Sequence, residues 1–463
     1  MKKEKQKNPN RLSVGKFFAW KTRDVSLAAI TVIISGYLMM FCTDTLGMSA
    51  ALVGSLMMAS KIFDGITDIF AGYIVDNTNT KLGKGRPYEI AIIFAWLSTV
   101  LLFFADESWS MTAKSIWVFT MYSFVYSIFS TLLTACGTPY TVRAFSGNRV
   151  VITKVASYGG IVSMGGSIIV SLLFPRMMAK LVISANGGSD GWRQLIVMFA
   201  IPLAFIGILR FIFVKEDPSI DAGKSPHISI KEAGQMIRMN KYAWSLAGVV
   251  GIYNMVVGFG AGSYYFRYIV GDISAFGLVG VLGMLLLPVM FIFPALIRKL
   301  GVSKLFIISG ILAAAGYLLV FFAKDNMAML YSGIIMSTIV SLPISYLQVP
   351  CIMDLSTYNE YKGMHRMEGT TTVVINFVTK ILSGLGAGLA GVLLGASGFV
   401  STTGSETVVQ PDSAIFMIRG LYSLIPLICM ILIILCAFYF GRLEKKMPEI
   451  EKVVKEKKEA MTN

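Results

Sequence analysis

Residues 55–75 read SLMMASKIFDGITDIFAGYIV, an apolar stretch long enough to cross a bilayer that nevertheless carries Lys61, Asp64 and Asp68. Positions four apart lie on one face of a helix, so both carboxylates and Lys61 share one stripe. An ionised carboxylate at bilayer depth costs roughly 2.5–3.5 kcal/mol, so the pair costs about 5–7 kcal/mol unless something binds it. Two readings follow. The pair holds a cation or a proton, or it forms a structural ion pair with Lys61 that pins neighbouring helices.

Working outward, the whole chain has this membrane character. Of 463 residues, 55% are hydrophobic and 14% charged, and the mean hydropathy is +0.69. A soluble domain carries about 25% charged residues. Stretches of about 20 apolar residues span a hydrocarbon core of about 30 Å. Twelve such stretches occur, near 25–43, 50–75, 88–105, 114–137, 152–174, 193–214, 242–268, 275–297, 303–323, 327–350, 369–396 and 413–441. The expected fold class is an all-α membrane protein whose twelve transmembrane helices form two pseudo-symmetric six-helix bundles.

Basic loops set the expected orientation. The segment 1–23 carries eight Lys or Arg against one Glu and has no apolar core, so it reads as a cytoplasmic tail and not a signal peptide. Residues 24–214 form the first bundle, 215–241 a polar cytoplasmic linker with an amphipathic helix near 228–239, 242–441 the second bundle, and 442–463 a second cytoplasmic tail. Loop 44–49 has no Lys or Arg and loop 79–87 has three; Arg176, Lys180 and Arg193 break the alternation. The expected location is the cell's inner membrane, multi-pass, with both termini cytoplasmic.

The net charge of +15 is scattered over short loops. It therefore fits membrane topology and anionic lipid partners, and nucleic acid is not an expected partner. Cys42, Cys136, Cys351, Cys429 and Cys436 have irregular spacing and show neither disulfide nor metal pattern. No Walker motif or nucleophile elbow occurs, so no enzyme and no cofactor is expected. The halves echo each other: KLGKGR (81–86) follows the second span and RKLGVSK (298–304) the eighth. Gly159, Gly160, Gly165 and Gly166 in the fifth span, and Gly384, Gly386, Gly388, Gly391 and Gly395 in the eleventh, suit close helix approach. Paired bundles with a site between them are a secondary-transporter layout.

Residues 72–87, GYIVDNTNTKLGKGRP, resemble the loop signature of major facilitator proteins. Residues 43–76, YYFRYIVGD (264–272) and MDLSTYNEYKGMHRMEGTTTVVINFVTKILSGLGAG (353–388) resemble the glycoside–pentoside–hexuronide:cation symporters within that superfamily. The matches keep their order across both halves.

The resemblance implies a secondary active transporter that couples entry of a sugar or glycoside to Na+ or H+ by alternating access. Asp64 and Asp68 match the family's cation-binding carboxylates, with Thr67 in place of an asparagine ligand; their oxygens would hold the metal if Na+ is the coupling ion. Lys380 matches a lysine near the cation and sugar sites, and a lysine about 12 residues into a span needs an anionic partner more than it snorkels. Thr131 stands where the family has a sugar-binding aspartate, Ala135 where it has a tryptophan, and Lys154 near its helix-5 arginine. Asp24 corresponds to a helix-1 sugar ligand but lies farther from Asp44 than the pattern requires; Asn376 is a polar candidate, and the loss of acidic sugar ligands leaves room for an anionic hexuronide. Arg298, Arg366, Asp354, Glu360 and Arg149 match charges of a cytoplasmic gate, against which stands their reading as solvated loop charges. The expected partners are a small sugar, a monovalent cation and membrane lipids, and the expected state is a monomer. The same fold could instead carry a lysolipid or another amphiphile.

Overall fold

The computed structural model describes residues 13–78, 80–146, 148–217, 240–323, 326–363, 368–401 and 409–462. Among them the chain is helical, with one isolated bridge between Thr80 and Gly83. Ten helices are long and apolar enough to cross a membrane. They are α1 (Val14–Asp44), α2 (Ala50–Asn77), α4 (Met111–Ala144), α5 (Arg149–Met178, then a π-helical turn Ala179–Ser184), α6 (Gly188–Phe213), α7 (Lys241–Tyr268), α9 (Val302–Ala323), α10 (Met327–Thr338, continuing as Ser341–Tyr361), α11 (Glu368–Ala396) and α12 (Asp412–Glu444).

The third and eighth apolar segments cross in pieces, which completes twelve. A 3-10 turn Arg86–Ile90, opened by Pro87, leads into α3 (Ala91–Leu102). The eighth begins with Ile273–Leu282, loosens over Gly283–Leu286, and resumes as α8 (Leu287–Leu300) with Pro288 in its first turn. Proline is tolerated there because the first N–H groups of a helix have no intrahelical partner. A last helix, α13 (Met447–Thr462), is amphipathic and polar. The amphipathic helix expected at 228–239 lies outside the described residues.

The chain forms two compact units. The first contains residues 1–48, 60–225 and 401–407, and the second contains residues 49–59, 226–400 and 408–463. In the first unit, Trp96 donates its indole N–H to Ser26 at 2.8 Å, and Ser26 donates to the Leu203 carbonyl at 2.7 Å, which ties α1, α3 and α6 together. The loops at one end are knit as well. Lys114 donates to the carbonyls of Leu46 (2.7 Å) and Glu107 (2.8 Å), and Glu107 accepts from Ser189. Arg193, one of the residues that break the charge alternation, pairs with Asp106 and with Asp190 (2.8 Å), so its charge is neutralised where it lies.

In the second unit, backbones touch where glycine allows it. A Cβ on Gly316 of α9 would fall 2.6 Å from the Gly333 carbonyl of α10, and one on Gly386 of α11 would collide with the Met255 carbonyl of α7. In the fifth span the expectation holds only in part. Gly166 faces Val25 at close range, but Gly160 and Gly165 face open space.

Candidate cation and substrate site

Asp64 and Asp68 lie on α2 where it packs against α4 inside the first unit. Ser60 and Ser123 share a hydrogen bond of 2.9 Å, and Ser127 donates to the Ser60 carbonyl at 3.3 Å, which sets the two helices in register one turn before the acids. There α4 widens into a π-helical turn, Phe124–Ser130, and the next residue is Thr131. Such turns recur at functional sites because they redirect one side chain and loosen one carbonyl.

The Thr131 hydroxyl lies 2.9 Å from Asp64 Oδ1, 3.0 Å from Asp68 Oδ1 and 3.1 Å from the Tyr126 carbonyl. A hydroxyl carries one proton, while ionised carboxylates and carbonyls only accept. One hydroxyl therefore meets three acceptor oxygens, and a protonated carboxyl or a bound cation would be at home among them. Thr131 stood at the sugar-aspartate position of the family pattern; here its hydroxyl joins the acid pair.

One lysine lies beside the two acids. Lys61 Nζ is 3.8 Å from Asp64 Oδ2 and sits 3.7 Å above the Tyr126 ring. Hydroxyl, carboxylate and carbonyl oxygens suit a hard cation. Thr67 is adjacent, but its hydroxyl donates to the Asp64 carbonyl at 3.0 Å.

Asp24 belongs to a second buried cluster in the same unit. Arg210 Nη1 is 3.2 Å from Asp24 and its Nε 3.4 Å from Glu89, while Arg23 Nε reaches Asp24 at 3.3 Å and Glu89 at 3.5 Å. Lys21 holds the other Asp24 oxygen at 2.9 Å, and the Arg210 guanidinium stacks 3.3 Å from the Trp20 ring centroid. Asp24 thus has three cationic partners, as a structural ion lattice requires when charges leave water. The sequence signal was present in Arg210, an arginine inside the apolar run FIGILRFIFV (205–214), and in Glu89 at the head of the third span.

The remaining candidates belong to the second unit or lie outside the described residues. Lys380 is half-buried on α11 of the second unit, and Asn376 is exposed on the same helix. Asp354 and Glu360 line a shallow pocket with Glu451 and Lys455, formed by the end of α10 and by α13. The side chains of Arg149, Lys154 and Arg298, and the whole of Arg366, lie outside the described residues.

Residues 23–444 match the family described as MFS/sugar transport protein. The chain belongs to that family. It is a transporter and not an enzyme, and it is an integral multi-pass membrane protein. It is 26% identical over 400 residues to the isoprimeverose transporter of Lactiplantibacillus pentosus, covering 83% of this chain and 80% of that one. It is 25% identical over 440 residues to the glucuronide carrier protein homolog of Escherichia coli (strain K12), covering 89% of each.

Solved structures agree on the fold alone. A bacterial homolog of the human lysosomal transporter Spinster superimposes with a TM-score of 0.64 at 16% identity, covering 94% of this chain and 97% of that one. The nucleoside transporter NupG gives 0.62 at 12% identity, covering 94% and 100%. The twelve-helix major facilitator fold expected from the sequence is the observed one.

Proposed function

We propose that this transporter couples uptake of a glycoside, pentoside or hexuronide to entry of Na+ or H+, with the coupling ion held between Asp64, Asp68 and Thr131. The observation that carries the reading is the Thr131 hydroxyl shared by two carboxylates, a cluster of hard oxygen ligands that suits a cation. Filling it would offset the negative charge of the acid pair and favour sugar binding. By linkage, whatever the ion adds to sugar affinity the sugar adds to ion affinity.

The relatives named for an isoprimeverose and a glucuronide support a sugar cargo, and Lys380 on α11 would suit an anionic one. Residues 24–214 and 242–441 act as the two bundles that rock about the cargo, with both tails cytoplasmic. Asp354 and Glu360 would serve the cytoplasmic gate with Arg149, Arg298 and Arg366.

The test is uptake of a panel of neutral glycosides and hexuronides into proteoliposomes under an imposed Na+ or H+ gradient, wild type beside Asp68→Asn. Gradient-driven accumulation that the substitution abolishes supports the reading and names ion and sugar. Equal accumulation by the variant removes the ion from this pair, and no sugar movement under either gradient brings forward an amphiphile as cargo.

A further inference from the structure

The first turns of α1 and the end of α6 leave an open groove in the first unit, with a cavity volume of about 700 Å³. Its α1 wall is Gly15, Phe18, Ala19 and Thr22, spaced three and four apart and so on one face. The α6 wall is Leu209 and Phe213, one turn apart. Phe18 and Phe213 are exposed, at 54% and 67%, and a Cβ on Gly15 would meet nothing within 4 Å. This floor is therefore apolar, and a side chain at position 15 would extend into open space among the described residues.

Two lysines line the same groove. Lys16 donates to the Ala144 carbonyl and rests 5.0 Å from the Phe145 ring, which fixes its ammonium while leaving two of its three protons to donate. Lys215, two residues beyond the end of α6, is exposed. The Thr22 hydroxyl is used by the Ala19 carbonyl, and Asp24 close by is held by Lys21, Arg23 and Arg210, so no free carboxylate of that cluster opposes an anion. An apolar trough ending in two ammonium groups matches a molecule with hydrocarbon tails and an anionic head.

We propose that this groove is a binding site for one anionic phospholipid of the leaflet that faces the basic tails, its phosphate between Lys16 and Lys215 and an acyl chain along Phe18 and Phe213. Basic pockets between helices on that side select anionic head groups. Each lysine near the surface supplies roughly a fivefold preference, so the two together favour an anionic over a zwitterionic lipid by about thirtyfold. The site is independent of the cargo and of the coupling ion.

Native mass spectrometry of the full chain tests it, with delipidated protein titrated with phosphatidylglycerol or with phosphatidylcholine of the same chains. Wild type should retain one phosphatidylglycerol about thirtyfold more tightly than phosphatidylcholine. Lys215→Gln should lose about fivefold of that preference, and K16Q/K215Q all of it, while K16R/K215R restores it. Gly15→Leu fills open space without touching charge and should weaken both lipids. Equal affinity of wild type for the two lipids, or a phosphatidylglycerol affinity unchanged by K215Q and G15L, overturns the proposal.

Discussion

Glu216 and Glu444 do the same work in the two halves of the chain. Glu216, three residues beyond α6, accepts the backbone N–H groups of Lys84 and Gly85 at 2.8 Å each, and that of Arg86, at the head of the third span. Glu444, the last residue of α12, accepts those of Val302 (2.6 Å) and Ser303 (2.9 Å) at the head of α9. In each half a carboxylate after the sixth span caps the third, where N–H groups lack helical partners and the helix dipole favours negative charge. The echo of KLGKGR and RKLGVSK is the sequence trace of these two caps.

Removing the caps should therefore cost stability in proportion to the donors left bare. A buried donor without a partner costs about 1–3 kcal/mol. Glu216→Ala, which strands three N–H groups, is expected to lower the thermal unfolding midpoint in detergent more than Glu444→Ala, which strands two. Equal midpoints for both variants and wild type would remove the capping role.

Thr131 gives a sharper prediction about the ion. Thr131→Val keeps the shape and deletes the hydroxyl that both acids share, whereas Thr131→Ser keeps it. A hydrogen bond to a charged group contributes about 1.5–3 kcal/mol, so Thr131→Val should raise the half-saturating concentration of the coupling ion by roughly 10- to 100-fold. The serine variant should stay within a few-fold. The measurement is sugar uptake against ion concentration, and a valine variant that matches wild type would take Thr131 out of the site.

The twelve spans and the acid pair were legible because each is a local pattern: twenty apolar residues, or two carboxylates four apart. The partner of that pair was not. Thr131 reaches both acids through a π-helical turn at Phe124–Ser130, and FVYSIFS contains no glycine or proline to announce it. The lattice of Arg23, Asp24, Glu89 and Arg210 draws on three spans, so its pairings arise only in tertiary packing. One charge was nevertheless readable, since an arginine inside an apolar run demands a partner.

Asp106 should make acid stability of the first unit measurable. The Ser108 N–H and hydroxyl, followed by Arg193, hold its carboxyl down to about 2. A carboxyl depressed in the folded state stabilises above its unfolded value near 4, and that contribution is lost as the pH falls from about 4 towards 2. Asp106→Asn should flatten the unfolding midpoint across this window and leave neutral-pH uptake intact. An unchanged slope would mean that the loop pairs carry no net stability.

Asp354 should act in the opposite direction and at a physiological pH. It lies beyond the end of the tenth span at Ser345, where burial, then the carboxylates of Glu451 and Glu444, raise its carboxyl to about 6. A carboxyl raised in the folded state is costly to ionise, so folded stability declines as the pH rises from about 4 through 6. Asp354→Asn should abolish that decline. If Asp354 also serves the gate, the variant should in addition lose the change in uptake rate between pH 5 and pH 7 on the side of the basic tails, at about one unit either side of the titration. Retention of both slopes in the variant would place the titrating group elsewhere; loss of the stability slope alone would leave Asp354 titrating beneath α13 with no part in gating.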